Sequence, residues 1–329
     1  MTQSVLVLGA SGTIGQATVR ALLQRGHRVV CVVRERSGPG THRSLAEMQQ
    51  RLPGAELRVA KVTDPESLRR EGFCGDGFDA LVSCLASRTG APRDAWAIDF
   101  QAHMNALQLA REAGVRHVVL LSAICVQKPL LEFQRAKLAF EQALIGSGLT
   151  YSIVRPTAFF KSLSGQFDRV REGRPYLLFG NGTLTRCKPI SDRDLADYLA
   201  DCLTFADRRN RILPIGGPGP AISPLDQAQK LFELLGRAPK IRSVPPVVLD
   251  LIIATLSVFG RLVPALGDKA ELARIGRYYA SESMLVLNNE TGEYDEAATP
   301  STGRDTLFDY YAALARGEAA PERGDHAVF

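Results

Sequence analysis

Short, nearly continuous apolar runs alternate with helical patterns over the first two-thirds of the chain. Ser4–Leu8 reads SVLVL and is followed by a glycine-rich turn and a predicted helix over Gly15–Arg25. Arg28–Val33 (RVVCVV) is a second predicted strand, Glu56–Ala60 a third, Asp79–Ser83 a fourth and His117–Leu121 a fifth. A helix around Glu132–Ile145 leads into a sixth, Tyr151–Val154. Valine- and leucine-rich runs without polar alternation suit strands covered on both faces. Their alternation with helical segments is the rhythm of parallel βαβ units. The pattern predicts an α/β protein built on a Rossmann-type doubly wound parallel sheet.

From about Arg155 the rhythm changes. The stretches RPTAFFKS and FGNGTLTRCKPIS read as insertions that build a smaller C-terminal lobe, and Asp192–Leu203 reads as a helix. Val247–Phe259 is the most apolar stretch of its region, interrupted by Asp250 and followed by Gly260, Arg261 and Pro264. It falls short of the roughly 20 apolar residues that cross a bilayer. It is expected to be a buried or pocket-lining helix, with a membrane-surface contact or an apolar substrate wall as the alternative.

Composition narrows the function classes. The 329 residues are 45% hydrophobic and 23% charged, with a net charge of +5, which is ordinary for a soluble globular chain. The basic residues are scattered, so nucleic acid is not an expected partner. The six cysteines show no CxxC spacing, which points to a reducing compartment without disulfides. The five histidines form no metal set, so no metal site is expected. With a strand already beginning near Ser4, no signal peptide is read and a cytoplasmic location is expected.

The chemistry begins at Gly9-Ala10-Ser11-Gly12-Thr13-Ile14-Gly15, which follows a strand and opens a helix. Glycines permit a tight turn and close approach of a pyrophosphate, while the helix N-terminus faces its negative charge. Strand, turn, helix and second strand lie in the order such a motif demands. The second strand ends in Val33-Arg34-Glu35-Arg36. A basic residue there suits a ribose 2′-phosphate, so Arg34, with Arg36 as a weaker partner, favours NADPH over NADH. The expected division is a nucleotide-binding core over 1–155, a mixed region over 156–318 that returns to the core and forms the substrate lobe, and a flexible tail over 319–329.

Gly9–Gly15, the Asp79–Ser83 strand, the Ser122 turn and Arg155–Phe159 together resemble the atypical short-chain dehydrogenases/reductases. The superfamily's usual tyrosine, four positions before a lysine, is replaced here in Phe133-Gln-Arg-Ala-Lys137. More narrowly, Leu131–Glu141, Ser122–Pro129, Val154–Leu163, Arg277–Leu285 and Ala298–Gly303 resemble the divinyl chlorophyllide a 8-vinyl reductases, and the similarity runs from about Val5 to Tyr311. The resemblance implies NADPH-dependent reduction of a vinyl group to ethyl on a tetrapyrrole of (bacterio)chlorophyll biosynthesis. Contact with photosynthetic membranes is left open, as is the oligomeric state. The alternatives are a related reductase of quinones or isoflavone- and lignan-like compounds, or a non-catalytic NADP(H)-binding sensor or assembly protein.

Loss of the tyrosine has a chemical reading. A carbonyl reductase must protonate an alkoxide, whereas reduction of a carbon–carbon double bond creates none. Lys137 is expected on the nicotinamide ribose and Ser122 at the nicotinamide, these two forming the catalytic set. Cys84, Leu85 and Ala86 are expected beneath the cofactor, Lys61 and Val62 near its adenine, and Pro156, Thr157 and Phe160 beside its nicotinamide. Phe133, Phe159, Phe160 and Lys161 are the expected pigment contacts. Phe179 and Val247–Phe259 are further candidate walls, and Tyr176 or Lys161 a candidate proton donor.

Overall fold

The computed structural model describes residues 2–34, 45–260 and 263–319. Its strands are β1 (Ser4–Leu8), β2 (Arg28–Val33), β3 (Glu56–Val59), β4 (Ala80–Ser83), β5 (His117–Leu121), β6 (Thr150–Pro156), β7 (Tyr176–Phe179), β8 (Arg211–Ile215) and β9 (Ile241–Val244), followed by a two-residue antiparallel pair at Val286–Leu287 and Tyr294–Asp295. Seven of them form one sheet in the order β3-β2-β1-β4-β5-β6-β8. Every pairing in it is parallel. Strand order reverses between β1 and β4, and the crevice beyond their carboxyl ends is where such sheets bind ligands.

The strands are buried on both faces. Val5 and Val7 of β1 face a layer formed by α1 (Thr13–Gln24) and the Asp192–Asp201 helix, with Leu22, Leu195 and Leu199 fully buried between them. Leu6 and Leu8 face the opposite layer, where the His103–Glu112 and Glu132–Ile145 helices contribute Ala106, Phe140 and Leu144. Each such leucine contributes on the order of 2 kcal/mol through removal from water. Arg25 adds a clamp at the end of α1, bonding Asp197 at 2.9 Å and Asp201 at 2.8 Å.

One sheet strand escapes the apolar-run reading. β8 is an edge strand whose first two residues are exposed, and it carries Arg211 and Pro214. Edges tolerate proline and polar residues because one side makes no ladder bonds.

The C-terminal region builds its own core from Phe160, Phe167, Tyr176, Leu178, Phe232 and Tyr311, beside a two-stranded parallel pairing of β7 and β9. Ala319 packs against this cluster, whereas the rest of the expected tail, 320–329, lies outside the described residues. The apolar stretch departs from the first expectation. It forms a helix over Val247–Gly260 in which no residue is buried. Its apolar composition reflects an uncovered face rather than a place in the core.

The distant segments singled out by resemblance assemble against one another. The Tyr278 hydroxyl donates to the carbonyls of Cys125 (3.0 Å) and Lys128 (3.2 Å). Lys128 Nζ lies 2.7 Å from both oxygens of Glu282, and Glu282 also accepts from the Tyr294 hydroxyl at 2.7 Å. The tail thereby braces the loop that follows β5, directly after Ser122.

Candidate functional site

Two of the three glycines of the turn are required by the protein itself. Gly9 has φ +75°, and a Cβ there would lie 2.5 Å from the Cys84 backbone; one on Gly15 would lie 2.1 Å from the Gly9 carbonyl oxygen. Gly12 differs. Its backbone is extended, φ −74°, and a Cβ would meet only the Gly9 oxygen at 3.5 Å. Room left beside an undemanding backbone is what close approach of a pyrophosphate needs. The α1 N-terminus has no side-chain cap and no acidic residue in its first turn, which suits an anion at its positive end. These residues therefore fit a nicotinamide dinucleotide.

Around the turn, Ala10 is fully buried and Ile14 packs on the core, while the Ser11 carbonyl accepts from Gln16 Nε2 at 2.9 Å. Cys84, Leu85 and exposed Ala86 run past Gly9. The register Val33↔Val59 sets exposed Arg34 beyond β2 beside the end of β3. Arg36 lies outside the described residues. Lys61 is exposed, and Val62 is buried with its carbonyl accepting from Asn105 Nδ2 at 3.3 Å. Lys161, expected at the pigment, instead reaches Thr13, with Nζ 2.6 Å from Oγ1. It thus approaches the phosphate turn from the segment after β6.

The second half of the site is built on the Glu132–Ile145 helix. Phe133, Lys137 and Glu141 recur every four residues and share a face. Lys137 Nζ donates to Asp99 Oδ1 at 2.9 Å. Asp99 is only 1% exposed and sits in a π-helical stretch, Trp96–Ala102. Its Oδ1 also accepts from the Ser87 N–H at 3.2 Å, while Oδ2 is buried without a hydrogen-bond partner among the described residues. One turn on, buried Glu141 accepts from the Ser122 hydroxyl at 2.5 Å and pairs with Arg155, whose Nε lies 3.2 Å away. Lys137 and Ser122 thus line one crevice, with Asp99, His103, Leu121 and Phe140, that leaves no room for a water molecule.

His103 is neutral in this crevice. Burial pushes its pKa down to about 4, reinforced by the Lys137 ammonium. Its Nδ1 lies 3.0 Å from the Ile98 carbonyl, an acceptor, so Nδ1 carries the proton. Nε2, 2.8 Å from Ser83 Oγ, then accepts from that hydroxyl.

The aromatic candidates separate. Phe133 is half-buried beside Ile275 and Tyr278, and Phe159 packs on the sheet core with Ile14. Phe160 is buried in the lobe core, its ring 5.7 Å from that of Tyr310, and this placement gives it no open face for pigment. Tyr176 is likewise buried there, and burial pushes its hydroxyl well above its ordinary range, which disfavours it as a proton donor. Pro156 closes β6, and buried Thr157 gives its hydroxyl to the Lys188 carbonyl. Asp99, Glu141 and His103 were missed in the sequence. The legible signal was Glu141, an acid four residues after Lys137 and next to the core residue Phe140.

The sheet and this site define a dinucleotide-binding oxidoreductase: residues 9–205 match a family described as NAD(P)H-binding. A leucoanthocyanidin reductase from Vitis vinifera in complex with NADPH has the same fold, with a TM-score of 0.68 at 14% identity over 95% of this chain and 99% of that one. The chain belongs to the divinyl chlorophyllide a 8-vinyl reductase family. It is 50% identical over 332 residues to the chloroplastic divinyl chlorophyllide a 8-vinyl-reductase of Zea mays, covering 99% of this chain and 83% of the relative. The photosystem II assembly factor Ycf39 of Trieres chinensis is more distant, 26% identical over 78% of this chain and 76% of that protein.

Proposed function

We propose that this chain reduces the 8-vinyl group of divinyl chlorophyllide, or a related divinyl tetrapyrrole, to ethyl with NADPH. The observation that carries the reading is Phe133 one helical turn before an ion-paired Lys137, in a chain that shares half its residues with named vinyl reductases. When bound, NADPH would supply the hydride for the outer vinyl carbon, being oxidised to NADP⁺, and a proton added at the inner carbon would complete the ethyl group.

Each residue's share follows from its place. The α1 N-terminus and Gly12 would receive the pyrophosphate, joined by Lys161 through its approach to Thr13. Arg34 and Arg36 would take the 2′-phosphate, which selects NADPH over NADH. Lys61 and Val62 would border the adenine, and Cys84–Ala86, Pro156 and Thr157 the rest of the cofactor. Asp99 fixes the Lys137 ammonium, which would hold the nicotinamide ribose and raise the acidity of a proton donor beside it. Ser122 acts by orienting Glu141. Phe133 and Phe159 offer the pigment apolar surface and no proton. We include in this reading a peripheral contact with photosynthetic membranes.

The test is anaerobic incubation of the purified chain with divinyl chlorophyllide and NADPH, followed by chromatography of the pigments. Monovinyl product is expected; NADPH binding without conversion overturns the proposal.

A further inference from the structure

The most apolar helix of the chain is also its least covered. In Val247–Gly260, Leu249, Ile253, Leu256, Ser257 and Gly260 are half-buried, a spacing that marks one face. That face packs along the Pro264–Tyr279 helix, and Gly260 comes so close to Gly267 that a Cβ would lie 2.8 Å from its Cα. The other face is open: Val247 is 64% exposed, Leu251 70%, Val258 62% and Phe259 54%.

The helix's polar side chains are satisfied inside this hairpin. Asp250 is bound by Arg277 Nε at 2.8 Å. The Thr255 hydroxyl donates to the Leu251 carbonyl at 2.9 Å. The Ser257 hydroxyl donates to the Ile253 carbonyl at 2.6 Å and accepts from Arg274 at 2.7 Å. Leaving water therefore strands none of these groups. Exposed Arg237, Lys240 and Arg242 lead into the helix, and Asp250 is the one acidic residue between positions 237 and 260.

We propose that this hairpin is the membrane-docking surface, resting in the interface of an anionic bilayer. Val247, Leu251, Val258 and Phe259 enter the acyl boundary, and Arg237, Lys240 and Arg242 meet the headgroups. Fourteen residues extend about 21 Å, short of the roughly 30 Å hydrocarbon core, and among the described residues no helix is long and apolar enough to cross a membrane. The helix therefore lies in the interface plane. The cationic flank favours anionic lipid over a second copy of the chain, which would bring like charges to the same rim. This inference gives the membrane contact of the proposed function a surface and a lipid charge.

The experiment is flotation of the full chain, without pigment, with vesicles of phosphatidylcholine alone or mixed with phosphatidylglycerol. Wild type is expected to float with the anionic vesicles and to be released by salt. L251D/V258D is expected to lower partitioning at least about tenfold with NADPH binding and thermal midpoint retained, and R237A/K240A/R242A to abolish the anionic preference. Absence of wild-type flotation, or equal flotation of L251D/V258D, overturns the inference. So does a wild-type dimer that L251D/V258D converts to monomer without either form floating. Pigment turnover is read separately, so vinyl reduction stands or falls independently.

Discussion

Lys137 and Asp99 form a buried ion pair, 2.9 Å from Nζ to Oδ1, that joins the Glu132–Ile145 helix to a π-helical stretch. The lysine side chain is 12% exposed and the aspartate side chain fully buried. Removing one partner of such a pair costs about 3–5 kcal/mol, whereas replacing both with apolar residues is often neutral. Asp99→Ala is therefore expected to be strongly destabilised. Asp99→Leu combined with Lys137→Met is expected to recover most of that stability while turning over no pigment. Urea denaturation and the pigment assay together check this; full turnover by the double variant would remove Lys137 from the chemistry.

The glycine turn separates folding from binding. Gly15→Ala puts a methyl 2.1 Å from the Gly9 carbonyl oxygen and should destabilise the fold by several kcal/mol. Gly12→Ala meets only one atom, at 3.5 Å, so its thermal midpoint should be near wild type while NADPH affinity falls at least about tenfold. Calorimetric titration with NADPH distinguishes the two; unchanged affinity in Gly12→Ala would move the pyrophosphate elsewhere.

Gly303 has φ +81°, and a Cβ there would lie 2.1 Å from the Asp194 carboxyl carbon. That carboxylate accepts the N–H groups of Arg304 at 3.0 Å and Asp305 at 2.9 Å, tying the C-terminal segment to the sheet domain. Gly303→Ala should cost about 2–4 kcal/mol, from backbone strain and displacement of this anchor. Chemical denaturation measures it.

Two buried histidines make stability pH-dependent. Burial lowers His103 and His117 to about 4 from an ordinary 6.5. Between those values the unfolded chain binds more protons, so stability is lost as pH falls from 6.5 towards 4. Each histidine should remove about 2 kcal/mol between about pH 7 and about pH 5. Denaturant titrations at the two pH values check the slope, and His117→Gln should reduce it.

Arg34 tests cofactor choice. Arg34→Ala is expected to raise the Michaelis constant for NADPH at least about tenfold and to leave that for NADH nearly unchanged. Equal effects on both would count against a 2′-phosphate contact.

The sheet was legible because its central strands are unbroken apolar runs and its glycines punctuate them. β8 was not, because Arg211 and Pro214 give an edge strand no such run. Asp99 was hidden because a π-helical stretch breaks the regular spacing from which a helix face is read. Lys161 could be read as a cation but not as one reaching Thr13, a contact across 148 positions that the topology creates. Val247–Phe259 was misread for a general reason: apolar composition shows that a face avoids water, not whether protein or lipid covers it.

Vinyl reduction is tested most directly by running the pigment reaction with NADPH deuterated at both C4 positions. Monovinyl pigment is expected whose new ethyl group carries one deuterium, at its outer carbon, with loss of that product in the Asp99→Leu/Lys137→Met variant, in which no buried charge is left unpaired. An ethyl group without deuterium, or no conversion by wild-type protein that binds NADPH tightly, would contradict it.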